Sequence, residues 1–91
     1  MKKYKHRADQ NQNEIVKLLR QIPGVTVEKG HDDILVGYKG ITYWFEIKRD
    51  GKASLTRSEE LRKEGWRGHY SVVWSLEQIL KEILTPINKE E

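Results

Sequence analysis

The sequence of 91 residues contains no cysteine, which excludes disulfide bonds and zinc sites built on thiolates. No apolar run approaches the roughly 20 residues that a transmembrane helix needs. Residues 1–12 are basic and polar, and they lack the apolar segment of a signal peptide. These absences predict a cytoplasmic protein without a membrane partner.

Apolar residues are scarce as well, at 36% of the chain against 34% for charged residues. A chain of this length forms one domain, close to the lower size limit for independent folding. The core should therefore be thin, and a second subunit would bury more apolar surface. We expect one domain over residues 1–91 that acts as a homodimer, with a flexible basic arm over 1–10 and a polar tail over 86–91.

Positive charge is in modest excess, with a formal net charge of +3. The basic residues are clustered at the start of the chain and in two groups of its second half. Such clusters favour a polyanionic partner such as nucleic acid. Each single basic residue is equally well explained as part of a solvated surface. The candidate phosphate-binding residues are Arg7, Arg49, Lys52, Arg57 and Arg67.

Hydrophobic periodicity predicts a first helix followed by three strands. The helix covers residues 12–22, and Asn11 and Glu14 have the spacing of a capping box at its start. A tight turn over residues 38–40 joins the last two strands, since glycine tolerates the positive φ of a hairpin loop. The three strands are predicted over residues 25–29, 33–37 and 41–48.

The second half of the chain predicts two capped helices around a fourth strand. Thr56 with Glu59, and Ser75 with Gln78, have the spacing of reciprocal capping pairs. The strand between these helices covers residues 70–74, and a strand that follows a helix can pair in parallel through a right-handed crossover. The predicted fold class is α/β, with a four-stranded mixed sheet flanked by helices.

The third strand carries the strongest indication of function. Side chains alternate between the two faces of a strand, so Tyr43, Phe45 and Ile47 form one apolar face. Glu46 and Lys48 lie together on the other face, within an aromatic-rich strand. An acid and a base there break the local pattern, as is expected at functional sites. The simpler interpretation is a solvated strand face with ordinary charges.

Asp33 begins the preceding strand, and the hairpin brings it next to Glu46. Two neighbouring carboxylates repel each other and favour a cation between them. Oxygen donors select Mg²⁺ or Mn²⁺, and the backbone carbonyl of Ile47 and the side chain of Glu14 could add ligands. Lys48 could hold the attacking water or the scissile phosphate. The simpler interpretations are a turn residue for Asp33 and a capping residue for Glu14.

The segment from Asp33 to Lys48, D-I-L-V-G-Y-K-G-I-T-Y-W-F-E-I-K, resembles the D…E-x-K signature of PD-(D/E)XK nucleases. It is similar to the small VRR-NUC-like and Holliday junction resolvase-like members of phages and bacteria. The opening H-R-A-D-Q-N-Q-N-E-I-V-K-L-L-R also resembles the first helix of that group. With the similar closing helix and strand, the resemblance covers most of the chain.

This resemblance implies a restriction-endonuclease-like αβββαβ core with Asp33, Glu46, Lys48 and Glu14 as catalytic residues. Asp33, Glu46, Ile47 and Glu14 would hold Mg²⁺, for which Mn²⁺ can substitute. The implied activity is endonucleolytic hydrolysis of phosphodiester bonds in DNA, including branched or junction DNA. The implied partners are DNA, a second copy of the chain, and a helicase or another replication protein.

Two positions depart from the pattern of this superfamily. Asp32 stands where the superfamily's name has proline, a position without obligatory chemistry. The second helix offers Glu59 and Glu60 where many relatives carry a glutamine. The alternative function is a nucleic-acid-binding module without catalysis on the same fold. Loss of Asp33, Glu46 or Lys48 would have favoured that alternative, and all three are present.

Overall fold

The computed structural model of this protein describes residues 7–85, with side chains over 11–85. Over these residues the chain folds in the order αβββαβα, which confirms the predicted α/β class, the αβββαβ core and the helix predicted after it. The elements are α1 (Arg7–Leu19), β1 (Val25–Lys29), β2 (Asp33–Tyr38), β3 (Ile41–Ile47), α2 (Arg57–Gly65), β4 (His69–Val73) and α3 (Leu76–Leu84).

The four strands form one mixed sheet in the order β1-β2-β3-β4. The first three strands pair antiparallel as a meander, and β4 pairs parallel to β3. Parallel neighbours require a crossover connection, and α2 lies within that connection. The tight turn between β2 and β3 places Lys39 and Gly40 at positive φ, as a two-residue hairpin loop requires. The meander and the mixed four-stranded sheet are therefore as predicted, and the structure adds that β4 lies beside β3.

The start of the chain differs from its prediction. Because α1 begins at Arg7 rather than at residue 12, residues 7–10 are helical and the capping box of Asn11 and Glu14 is wrong. The side chain of Asn11 instead donates hydrogen bonds to the backbone carbonyls of Lys48, at 2.9 Å, and Trp74, at 3.1 Å. These acceptors are distant in sequence, so a local capping pattern could not reveal them. The rest of the predicted arm, residues 1–6, and the tail, residues 86–91, lie outside the described residues.

Both later helices begin with the predicted capping boxes. The Thr56 hydroxyl accepts from the backbone N–H of Glu59, whose side chain accepts from the N–H of Thr56. Ser75 and Gln78 make the same reciprocal pair at the start of α3. Each box satisfies N–H groups that have no acceptor within the helix. The short motifs therefore locate the two helix starts correctly.

The hydrophobic core lies between one face of the sheet and helices α1 and α3. The predicted apolar face of β3 is confirmed, since Tyr43, Phe45 and Ile47 are all buried. Helix α2 lies over the opposite face, where Glu46 points. No helix over residues 7–85 combines the length and the apolar character needed to cross a bilayer. The buried apolar residues are Ile15, Val16, Leu19, Val25, Val27, Ile34, Val36, Tyr43, Phe45, Ile47, Val73, Ile79 and Ile83.

Candidate active site

Asp33 and Glu46 are direct partners across the β2–β3 pairing, as the hairpin predicted. Directly opposed residues of antiparallel strands point to the same face of the sheet. Helix α2 covers that face beside Glu46, whose side chain is consequently almost fully buried, with 1% of its surface exposed. A glutamate is rarely buried to this extent unless a partner accompanies it.

Three carboxylates converge at this point. Asp32, Glu46 and Glu59 each offer one oxygen, and these atoms lie within 4.8 Å of one another. Asp32 belongs to the bend before β2, Glu46 to β3 and Glu59 to the first turn of α2. The backbone N–H of Ile47 donates to the carbonyl of Asp32 at 2.9 Å, which fixes this bend against the end of β3. We call these three residues the carboxylate cluster.

The two carboxylate oxygens of Glu46 have different partners. The hydroxyl of Tyr70 donates to Oε1 at 3.4 Å, and a guanidinium nitrogen of Arg62 lies 3.5 Å from the same oxygen. Oε2 is buried and accepts no hydrogen bond from the described residues. Burial, together with the neighbouring carboxylates of Glu59 and Asp32, raises the pKa of Glu46 to about 8. A buried acceptor without a donor is costly, so this oxygen is suited to a ligand that supplies positive charge.

The pKa of Glu59 is displaced in the opposite direction, downward. Its Oε1 accepts from the Lys48 ammonium at 2.8 Å and from the backbone N–H of Thr56 at 2.9 Å. Burial by itself would raise the pKa of Glu59, but these two hydrogen bonds outweigh it and lower the pKa. Two adjacent carboxyls therefore have pKa values displaced in opposite directions, an arrangement typical of sites that perform acid–base or metal chemistry.

Arg62 connects the cluster to a group of aromatic side chains. Its guanidinium lies 4.5 Å from the centre of the Trp44 ring and 5.7 Å from that of Tyr70. Contacts of this kind are cation–π interactions and hold the guanidinium in place. Burial and the nearby Glu46 raise the pKa of Tyr70 to about 12, so its phenol remains a hydrogen-bond donor at neutral pH. Arg62 and Tyr70 were missed by the sequence analysis because no local pattern links them to Glu46.

Asp33 and Glu14, which were expected as ligands, are not among the three carboxylates that converge. The Asp33 carboxylate accepts a hydrogen bond from the Trp44 indole at 2.8 Å, and the aspartate of the cluster is Asp32. Glu14 is exposed on α1. The buried polar side chain of α1 near the site is Gln12, which donates to the backbone carbonyl of Asp33 at 3.2 Å. Asp33 nevertheless lies directly opposite Glu46, and the roles of Asp33 and Glu14 as metal ligands stay predictions.

Lys48 and Ile47 lie next to the carboxylate cluster, with Lys48 one residue beyond the end of β3. Lys48 is joined to the cluster through Glu59, at the end of β3. The Ile47 side chain is in the core, while its backbone is bonded to that of Asp32, next to the cluster. The role of the Ile47 carbonyl as a metal ligand stays a prediction.

The predicted phosphate-binding residues lie on the surface, except Arg7, whose side chain is outside the described residues. Arg49 and Asp50 are 3.6 Å apart, and Arg57 and Glu60 are 3.8 Å apart. Exposed ion pairs of this kind contribute little to stability, so they leave both arginines able to bind an anion. Lys52 and Arg67 are also exposed.

No protein family, curated protein or solved structure matches this chain. The function must therefore be inferred from the geometry of the site and from the D…E-x-K spacing.

Proposed function

We propose that this protein is a Mg²⁺-dependent endonuclease that hydrolyses phosphodiester bonds in DNA, with Mn²⁺ as a substitute ion. The observation that carries the proposal is the buried Oε2 of Glu46, which has no donor among the described residues at the point where Asp32 and Glu59 converge. Three carboxylates at this spacing repel one another unless a cation or protons lie between them. Hard oxygen donors fit Mg²⁺, which typically uses one or two carboxylates and retains several waters.

Asp32, Glu46 and Glu59 are the side chains that would hold the ion, and the Ile47 carbonyl is a further expected ligand. A bound Mg²⁺ lowers the pKa of a coordinated water and neutralises charge on a phosphoryl oxygen. Such a donor set would suit Mg²⁺, the cofactor that the resemblance implies. Asp33 would act through Trp44 and the hairpin rather than as a direct ligand.

Two cations of the protein lie next to this cluster. The Lys48 ammonium is within hydrogen-bonding distance of Glu59, and the Arg62 guanidinium lies beside Glu46. Either group can donate to a phosphate oxygen and so stabilise the negative charge that develops during hydrolysis. Lys48 is the better candidate for holding the attacking water, because it follows Glu46 on the same face of β3.

Cleavage of labelled linear, single-stranded, flapped and four-way-junction DNA tests the proposed function. We expect cleavage with Mg²⁺ or Mn²⁺, none in EDTA, and none by Glu46→Gln, which keeps the shape of the side chain without its charge. Glu64→Gln is the matched control, because Glu64 is exposed on α2 and does not belong to the carboxylate cluster, and it should cut like the wild type. A wild-type protein that cuts none of these DNAs, or cuts them equally well in EDTA, contradicts the proposal.

A nucleic-acid-binding module without catalysis is the second candidate, and one observation favours it. Glu46 is already near Arg62, and Glu59 is paired with Lys48, so part of the cluster's charge is neutralised by the protein itself. DNA binding that is independent of metal, without cleavage, would support this candidate. The homodimer, the helicase or replication partner, the cytoplasmic location and the preference for branched DNA stay predictions.

A further inference from the structure

A groove of about 460 Å³ lies on the same face of the sheet as the carboxylate cluster. Its lining comes from β1, β2 and β3 and from the segment that follows α2. Leu35, Trp44 and Trp66 provide its apolar surface, and Asp33 provides a carboxylate. We call this feature the aromatic groove.

The aromatic groove continues directly from the cluster along the β2–β3 pair. Asp33 is opposite Glu46, and the next pair on the same face is Leu35 opposite Trp44. Two residues along a strand span about 7 Å. A nucleotide whose phosphate lies at the cluster can therefore place its base in the groove.

Large apolar side chains are exposed in this groove. Trp66 retains 50% of its accessible surface and Leu35 retains 42%. The rings of Trp44 and Trp66 meet edge to face, with centroids 4.7 Å apart and planes at 83°, and so form a corner. Folding does not bury this surface, and a flat ligand would gain free energy by covering it.

The backbone position of Trp66 is set by its local structure. Trp66 is the C-cap of α2, and its backbone N–H bonds to the carbonyl of Arg62 at 2.8 Å. A Cβ at Gly68 would lie 2.9 Å from the indole nitrogen of Trp66, so the indole lies against Gly68 on one side and meets the Trp44 ring on another. These contacts favour the position of the ring that lines the groove, which lowers the entropic cost of binding.

Polar groups at the groove suit the edge of a base. One oxygen of Asp33 accepts from the Trp44 indole, and the other lies next to Gly30. The N–H groups of a nucleobase can donate to such a carboxylate, as they do to acidic side chains in base recognition. Arg67 follows Trp66 and is exposed, so it can contact the adjoining phosphate.

We propose that the aromatic groove binds an unpaired nucleobase, so that the substrate strand is single-stranded beside the carboxylate cluster. The inference rests on the proposed function for the choice of nucleic acid as the ligand. An unpaired base is required because the faces of bases in a duplex are already stacked and cannot contact an aromatic ring.

Fluorescence anisotropy tests this inference. It measures, in EDTA, the affinity of the protein for a labelled single strand and for the corresponding duplex. We expect tighter binding of the single strand, and a loss of about ten-fold or more in Trp66→Ala, the effect of removing one stacked base. Trp66→Phe should retain most of the affinity and Trp66→Leu should not. Trp74→Ala is the matched control, since Trp74 is 42% exposed and does not line the groove, and its affinity should not change.

Equal binding of single strand and duplex, or wild-type affinity in Trp66→Ala, overturns the inference. Equal affinity of Trp66→Leu and Trp66→Phe overturns it as well, because the groove would then be an apolar surface for a protein partner. Leu35→Thr provides a second variant within the groove if the Trp66 variants do not fold, and it should also weaken single-strand binding. These measurements need no metal, so their outcome is separate from the cleavage test of Glu46→Gln.

Discussion

Lys48 and Glu59 form an ion pair with 2.8 Å between Nζ and Oε1, and their side chains are only 14% and 8% exposed. The pair connects the end of β3 to the first turn of α2, which covers the carboxylate cluster. Glu59 also caps α2 through the backbone N–H of Thr56. The carboxylate of Glu59 thus caps the start of α2 and pairs with Lys48. It also belongs to the candidate metal site.

Replacing Lys48 with methionine should destabilise the metal-free protein by about 1–3 kcal/mol, because the largely buried charge of Glu59 loses its cation. Urea denaturation in EDTA measures this change. Arg49→Met is the matched control, since Arg49 pairs with Asp50 on the surface, and it should change stability by about 0.5 kcal/mol or less. Equal effects of the two substitutions would contradict a structural role for the Lys48–Glu59 pair.

The two adjacent aspartates should respond differently to replacement by asparagine. Asp32→Asn should weaken Mn²⁺ binding by about ten-fold or more, because Asp32 belongs to the carboxylate cluster. Asp33→Asn should leave this affinity close to that of the wild type, because asparagine can still accept from the Trp44 indole. Isothermal titration calorimetry measures both affinities. The opposite order would make Asp33 the ligand, as the D…E-x-K spacing implies.

The stability of the metal-free protein should depend on the protonation of Glu46. Its pKa is about 8 in the folded protein against an ordinary value of 4.5. The folded state therefore binds this proton more tightly than the unfolded state, and stability falls as the pH rises from about 4.5 to about 8. Glu46→Gln removes this dependence, so it should gain stability relative to the wild type over that range, by at most about 5 kcal/mol.

Urea denaturation of both proteins in EDTA at several pH values measures the difference. Subtracting the wild-type curve removes the contributions of the carboxyls outside the cluster, and the remaining difference belongs to Glu46 together with its interactions with Glu59 and Asp32. A difference that does not change with pH would contradict the raised pKa of Glu46.

Asn11 should matter more for stability than its neighbour Asn13 on the same helix. Asn11→Ala removes the donor that serves two backbone carbonyls, those of Lys48 and Trp74, and should cost about 1 kcal/mol or more. Asn13→Ala removes only an exposed contact with Lys29 and should cost about 0.5 kcal/mol or less. Thermal or urea unfolding of the two variants measures the loss of stability in each. Equal costs would show that Asn11 does not join α1 to the ends of β3 and β4.

Local patterns in the sequence were sufficient to predict most of the fold. The strand over residues 25–29 matches β1, and the other strand boundaries differ by one residue or so. Alternation of apolar side chains and a turn at Lys39-Gly40 are short-range signals, and so are the caps at Thr56 and Ser75. The start of α1 was predicted wrongly because Asn11 has the composition of a cap but long-range partners.

The sequence by itself determined the three-stranded meander, the buried face of β3 and the pairing of Asp33 with Glu46, because alternation and a two-residue turn fix the register of a hairpin. Only the tertiary structure decided that Asp32 joins Glu46, since Asp32 lies in a bend where side chains do not follow the period of a strand. Only the tertiary structure also decided that Glu59 and Arg62 lie at the cluster. Their positions depend on how α2 packs across the sheet, and this long-range packing produces no periodic pattern in the sequence.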